Sequence, residues 1–207
     1  MVQHISVERI GRESVPVVVI DDFVPMGVHY PGIRAVVPPA LVRRFVEPLG
    51  ALIAEVFGAR NCSVVDALYS LVTTPPEALT PTQRLPHFDG VEPERLALLH
   101  FLGGAAGSGT AFYCHRATGF ETVSAARLPR YQRMIDDEVR EGGVPDAAYI
   151  GGDTALFEEI GLFEGHYNRA LLYPSNALHC ARIPDDLNLS DNPATGRLTV
   201  NTFLLGR

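Results

Sequence analysis

The 207-residue sequence predicts an α+β domain, mainly β, with a β sandwich or barrel as its core. Three observations carry that expectation. The chain holds 19 glycines and 16 prolines, an excess that argues against a helical bundle and for short strands joined by many turns. From residue 67 onward, short runs of β-branched, aromatic and leucine residues recur between turn-forming Gly, Pro, Asn and Ser. Helical periodicity is confined to a few stretches.

The elements follow in order. Pro16–Phe23 reads Pro-Val-Val-Val-Ile-Asp-Asp-Phe, a strand-forming run with two acids near its end. Between Pro38 and Gly58, Leu41, Phe45, Leu49, Leu52, Ile53 and Val56 recur at helical spacing, and Gly58 ends the pattern. Pro48 and Gly50 fall inside it and predict a kink or a split into two helices. Ala67–Thr74 is the next strand, and Pro86–Asp89 a short one between prolines and a glycine. Leu96–Leu102 is strongly apolar, as expected of a strand buried on both faces. The glycine-rich stretch Gly103–Gly109 reads as a hairpin loop feeding a strand over Thr110–His115. Helices are predicted over Pro129–Arg140 and, with Asp153 as cap and Gly161 as stop, over Asp153–Ile160. Asn168–Tyr173, Leu178–Ile183 and Arg197–Leu205 complete the strands, the first two joined by the turn Pro174-Ser175-Asn176. No repeat or linker divides the chain, so it reads as one domain, with a lead-in over residues 1–66 and a core over about 67–205.

Composition excludes several classes. Seventeen basic against 24 acidic residues give a net charge of −7, unlike a general nucleic-acid binder. The longest apolar runs, such as Val17–Ile20 and Ala170–Tyr173, are too short to cross a bilayer. Met1–Gly11 carries Glu8 and no apolar stretch, so no secretory signal is expected. Cys62, Cys114 and Cys180 are odd in number and widely spaced, the pattern of reduced thiols in a cytoplasm.

The sharpest local feature is His87-Phe88-Asp89. On a strand, positions i and i+2 share a face, so an imidazole and a carboxylate converge while Phe88 turns to packing. Alone, such a pair is more often a surface or hydrogen-bonded histidine. His179 lies in a second apolar run, Ala177-Leu178-His179-Cys180-Ala181, where a core histidine satisfied by backbone would also fit. Together, two histidines and one carboxylate are the donor set of a facial triad that leaves coordination positions of Fe(II) open. Arg197, Thr199 and Asn201 then share a strand face; an arginine pointing inward needs an anion, whereas one at an exposed strand start does not. Cys114-His115 and His179-Cys180 make a poor zinc set, because adjacent strand residues face opposite ways. The glycines at 103, 104, 107 and 109 lack the Gly-Lys-Ser/Thr sequence and the following helix that a phosphate loop requires. Tyr113, His115 and Arg116 are open to either packing or substrate contact.

The order His-x-Asp, distal His, Arg-x-Thr resembles the Fe(II)/2-oxoglutarate-dependent oxygenase superfamily, nearest its prolyl-4-hydroxylase-like branch. Leu98–Leu102 with Gly109-Thr110-Ala111-Phe112 is similar to that branch's strand–loop–Gly-x-Thr-x-Phe hairpin, and Asn168–Ala181 to its strand–turn–histidine segment. The resemblance covers about residues 67–205. It implies a double-stranded β-helix (jelly-roll, cupin-like) core with flanking helices, and a hydroxylase that releases succinate and CO2. His87, Asp89 and His179 would ligate Fe(II); Arg197 and Thr199 would hold the distal carboxylate of 2-oxoglutarate, with Thr110 and Asn201 near it, and O2 would take the remaining position. The chain departs from the branch at His100, which stands where a tyrosine helps hold the cosubstrate, and at Arg197, where lysine is frequent. Histidine could donate the same bond or merely pack. Asp89 keeps the carboxylate that related halogenases lose, which favours hydroxylation.

The expected substrate is an amino acid, peptide or small metabolite, with no nucleic-acid or membrane partner; nothing in the sequence excludes a homodimer. Selectivity is expected in the loops 75–85, 118–130 and 185–196, whose Arg84, Arg127, Arg130, Asp185, Asp186 and Asp191 favour no single substrate charge. Two rival readings stand beside this one: a cupin-type metal enzyme without 2-oxoglutarate, and a non-catalytic jelly-roll binding or sensing module.

Overall fold

Pro48 cannot donate the backbone bond that a continuous helix needs, and the chain answers with a break at that point. Helix α1 (Pro39–Val46) gives way to a 3-10 turn at Glu47–Leu49, and α2 (Gly50–Phe57) resumes until Gly58, whose φ of +68° ends it. This split is the one the sequence predicts.

The computed structural model describes residues 4–10, 15–21, 30–103, 106–187 and 189–206, which fall into two compact units, Met1–Tyr30 and Pro31–Arg207. In the first, β1 (His4–Ile10) and β2 (Val15–Asp21) form an antiparallel pair running from His4 opposite Asp21 to Ile10 opposite Val15. The predicted strand Pro16–Phe23 is therefore found, except that residues 22 and 23 lie outside the described residues.

The second unit contains two antiparallel sheets. One has five strands in the order β3 (Gly32–Val36), β4 (Ser63–Val72), β10 (Leu198–Leu205), β5 (Arg95–Phe101), β8 (Ala170–Pro174). The other has three, in the order β7 (Phe157–Glu164), β6 (Gly109–His115), β9 (His179–Arg182). Strand alternation sorts β5 into two faces. Leu96 and Leu98 join Val42, Val46, Ile53, Val200 and Leu204 under α1 and α2. Ala97, Leu99 and Phe101 join Tyr173 on the inner face, where Phe112 of β6 meets the Tyr173 ring edge-on at 5.0 Å. On the far side of the small sheet, Ala111, Tyr113, Leu178 and Cys180 pack with Tyr131 of α3 (Leu128–Gly142).

The chain is thus mixed α and β, mostly antiparallel sheet with few helices, as expected. Three local expectations are corrected. No helix forms over Asp153–Ile160: Asp153 Oδ1 accepts the Glu159 N–H at 2.9 Å and Thr154 Oγ1 the Phe157 N–H at 3.0 Å, a turn that launches β7 along β6. The two acceptors act as turn caps rather than helix caps, and pairing along all seven residues of β6 overrides the helical spacing. The stretch Gly103–Gly109, of which residues 104 and 105 lie outside the described residues, is not a hairpin loop. It carries the chain between sheets, because β5 pairs with β10 and β8 whereas β6 pairs with β7 and β9. The strand over Pro86–Asp89 reduces to a single antiparallel bridge between His87 and His179, since the Asp89 N–H leaves the ladder for the Ser175 carbonyl at 2.7 Å. No helix among the described residues is long and apolar enough to cross a membrane.

Candidate metal centre

The bridge brings the two histidines face to face. His87 and His179 exchange both main-chain hydrogen bonds, each 2.9 Å, and directly opposed residues of an antiparallel pair project side chains to the same face. Their rings lie 4.5 Å apart, centre to centre. Asp89, two residues on, is anchored by its bond to Ser175 in the turn between β8 and β9. The turn that precedes His179 therefore also fixes Asp89. Phe88 points away and meets Tyr131 of α3 edge-on at 6.1 Å.

The donor atoms converge. Asp89 Oδ1 is 3.8 Å from His87 Nε2 and Oδ2 is 3.4 Å from His179 Nε2, and one donor atom from each residue lies within 4.8 Å of the others. Facial donors around one ion with bonds of about 2.1 Å stand on the order of 3 Å apart, so the three residues could hold a metal ion once drawn closer together. His179 Nδ1 donates to the Ala177 carbonyl at 2.9 Å, which directs the Nε2 lone pair toward the cluster. His87 is the exposed member, its side chain 55% accessible against 7% for His179, so the cluster opens on that side. Among the described residues no other group of three His, Cys, Asp or Glu could hold an ion. The two alternative pairs divide as strand geometry requires: Cys180 lies in the core beneath α3, where burial pushes its thiol up to about 12. His115, buried as well, bonds Thr118 Oγ1 and Glu138 Oε2, each at 2.8 Å. Tyr113 is packed in that core too, and Arg116 pairs with Asp153 at the surface.

A polar row continues along the inner face. Arg197, 4% exposed, donates from Nη2 to the Gly109 carbonyl at 2.7 Å and lies 5.5 Å over the Phe101 ring. Thr199 Oγ1 is 3.1 Å from Asn201 Oδ1 and 3.4 Å from the Ser70 carbonyl. Among the described residues, the buried hydroxyls of Ser70 and Thr110 have no hydrogen-bond partner. Unpaired buried hydroxyls are costly, and two of them on the strands around an arginine are what a bound carboxylate would satisfy. Thr110 shares its strand face with Phe112, which pairs with His179.

His100 is not in this row. It stands opposite Val200 on the helix-covered face, its ring 6.1 Å from Phe45, with Nε2 bonded to Asn168 Oδ1 at 2.9 Å. The inner position belongs to its neighbour Phe101, opposite Thr199. Of the two roles open to His100, the structure shows the packing one, and the phenyl ring on the inner face has no hydroxyl to offer.

Tyr173 is the residue that the sequence did not single out. Its ring lies 4.9 Å from that of His179. Burial raises its hydroxyl well above the ordinary range; the Asp89 carboxylate adds to the rise and Arg197 opposes it. A polar-tipped aromatic closing an apolar strand, just before a turn to a candidate ligand, was the available signal.

A family model described as a family of unknown function (DUF6445) matches residues 22–204. The chain belongs to this family. No curated protein and no solved structure matches the chain. The matched span in this DUF6445 member covers the whole candidate centre, from His87 to Asn201.

Proposed function

We propose that this DUF6445 member is a non-haem Fe(II), 2-oxoglutarate-dependent dioxygenase that hydroxylates a C–H bond of an amino acid, peptide or small metabolite. The observation that carries the reading is the convergence of His87, Asp89 and His179 on one point, on inner walls shared with the buried Arg197. Two imidazoles and one carboxylate, with the remaining positions open, suit Fe(II) oxygen chemistry.

The same reading takes the two sheets as a double-stranded β-helix. In its support, the chain passes back and forth between them: β4 in the large sheet, the His87 bridge against β9, β5 in the large sheet, β6 and β7 in the small, β8 large, β9 small, β10 large. Such alternation is what two interleaved Greek keys require.

When bound, iron supplies the redox centre at which O2 takes two electrons from 2-oxoglutarate, released as succinate and CO2, and two from the substrate C–H bond, which becomes C–OH. The residues do the rest. Asp89 offers oxygens to both histidine sides of the site, and the Ala177 carbonyl keeps His179 in its ligating tautomer. Arg197 would bind the distal carboxylate of the cosubstrate, with Thr110, Thr199 and Asn201 completing the cradle, and Tyr173 packs against His179. A cytoplasmic setting, where the three cysteines stay free, fits the reading.

Calorimetric titration of 2-oxoglutarate into protein loaded with Mn(II), a stand-in for the oxygen-sensitive ion, tests it. One site is expected, lost on metal removal and in Asp89→Ala. Absent binding, or binding that ignores the metal, overturns the reading and leaves the rivals that dispense with 2-oxoglutarate.

A further inference from the structure

Arg95 opens β5 and shares the inner face with Ala97, Leu99 and Phe101. Its guanidinium lies 5.3 Å over the ring of Phe203, the inner-face residue of β10 that pairs with Ala97. Its stem runs against Gly90, immediately after the candidate ligand Asp89: a Cβ on Gly90 would stand 2.7 Å from Glu92 Oε2, 2.8 Å from Arg95 Cδ and 3.3 Å from Nε. The main chain ties the same groups together, with the Asp89 N–H on the Ser175 carbonyl and the Ser175 N–H on the Arg95 carbonyl. Glycine at position 90 thus leaves the room in which this arginine lies beside the ligand loop.

Arg95 is half-buried and its Nε is sealed from solvent; among the described residues Nε has no hydrogen-bond partner and no carboxylate forms an ion pair with it, although Glu92 Oε2 shares the space beside Gly90. A partly desolvated guanidinium held on an aromatic face, with its fork unpaired, is arranged to receive an oxyanion. Arg197 cannot share that anion. The two stand at opposite ends of the inner face, separated by the length of β5, on the order of 20 Å for six residue steps.

We propose that Arg95 is a second oxyanion site, beside the metal ligands and distinct from Arg197, which holds a carboxylate or phosphate group of the substrate. That the anion belongs to a substrate rests on the function proposed above; that Arg95 binds an oxyanion does not. The substrate class narrows accordingly, from any small metabolite to one that carries an anionic group close to the carbon to be oxidised.

The test uses the whole Zn(II)-loaded protein and the arginine Nε–Hε signals in 1H–15N spectra, with Arg95 identified by its loss in Arg95→Lys. Sodium acetate and methyl phosphate are the probes, and the exposed Arg133 is the internal reference. The Arg95 signal is expected to shift saturably, at a concentration at least tenfold below any response of Arg133. Gly90→Ala, whose Cβ crowds both the Glu92 carboxylate and the arginine stem, should raise that concentration severalfold. Saturation by acetate alone assigns a carboxylate, by methyl phosphate alone a phosphate, and by both a general oxyanion site. An Arg95 signal that stays still, or drifts linearly with Arg133, overturns the proposal. A separate titration with 2-oxoglutarate reads Arg197, assigned through Arg197→Lys. Silence there defeats the dioxygenase reading, and the Arg95 result stands or falls by itself.

Discussion

His87 and His179 are directly opposed across one antiparallel bridge, each donating its N–H to the other's carbonyl at 2.9 Å. Two ligands far apart in sequence are thereby held in register by main-chain bonds that survive loss of either imidazole. Asp89 reaches the same point through the Ser175 carbonyl. The centre is built on backbone, and side-chain substitutions can empty it without unfolding it.

Asp89→Ala and His179→Ala are accordingly expected to weaken Mn(II) or Co(II) binding by at least about 100-fold, the upper end of the loss caused by removing a mere hydrogen-bond partner of a ligand. Circular dichroism of the two variants should match that of the parent chain. Metal titration followed by calorimetry measures the loss, and unchanged affinity in both variants would remove the triad from the account.

Arg197→Met should separate cosubstrate from metal. Truncating one partner of a buried charged pair costs about 2 kcal/mol or more, which corresponds to a roughly 30-fold rise in the Kd of 2-oxoglutarate. Metal affinity should stay within a factor of about two, because Arg197 bonds the Gly109 carbonyl on β6, outside the His-Asp-His cluster. Equal loss of both affinities would point to a folding defect, which a thermal melt of the variant would reveal.

His100→Phe is expected to leave metal and 2-oxoglutarate binding unchanged. What it removes is the bond to Asn168, a residue held at φ +62°, so its effect should be a loss of about 1 kcal/mol in a urea titration. A selective loss of 2-oxoglutarate affinity would return His100 to the site.

Stability should fall in alkali. Burial raises the Cys180 thiol from an ordinary 9.0 to about 12, and it raises the hydroxyls of Tyr113, Tyr131 and Tyr173 above their ordinary 10.0. The folded chain keeps these protons at pH values where the unfolded chain gives them up. The stabilisation is complete below about pH 9 and is lost as pH rises from there toward the native values. Melting temperatures measured from pH 7 to 11 should be flat to about pH 9 and then decline. A rise across that interval would contradict the burial of these groups.

Legibility in the sequence followed what each pattern could constrain. His87-Phe88-Asp89 was readable because i, i+2 spacing has one meaning on an extended chain, and the split at Pro48 because proline lacks a donor. The face of His100 was not readable, since Leu96–Leu102 is apolar on both sides and alternation gives no register. Asp153 and Gly161 bracket a stretch whose local signals suit a helix, and only pairing with β6 makes it a strand. Sheet membership of β5 and β6 was equally hidden, because a glycine-rich loop looks alike whether it folds a hairpin or crosses between sheets. Arg95 carried no signal at all until Gly90 and Phe203 were placed around it.

The central claim is that His87, Asp89 and His179 hold an Fe(II) that 2-oxoglutarate can chelate while Arg197 grips its far end. Anaerobic addition of Fe(II) and then 2-oxoglutarate, followed by visible absorption, tests it most directly. A weak metal-to-ligand charge-transfer band should grow to saturation at one equivalent of cosubstrate and be missing in Asp89→Ala. A chain that binds Fe(II) yet shows no such band at saturating 2-oxoglutarate would contradict the account.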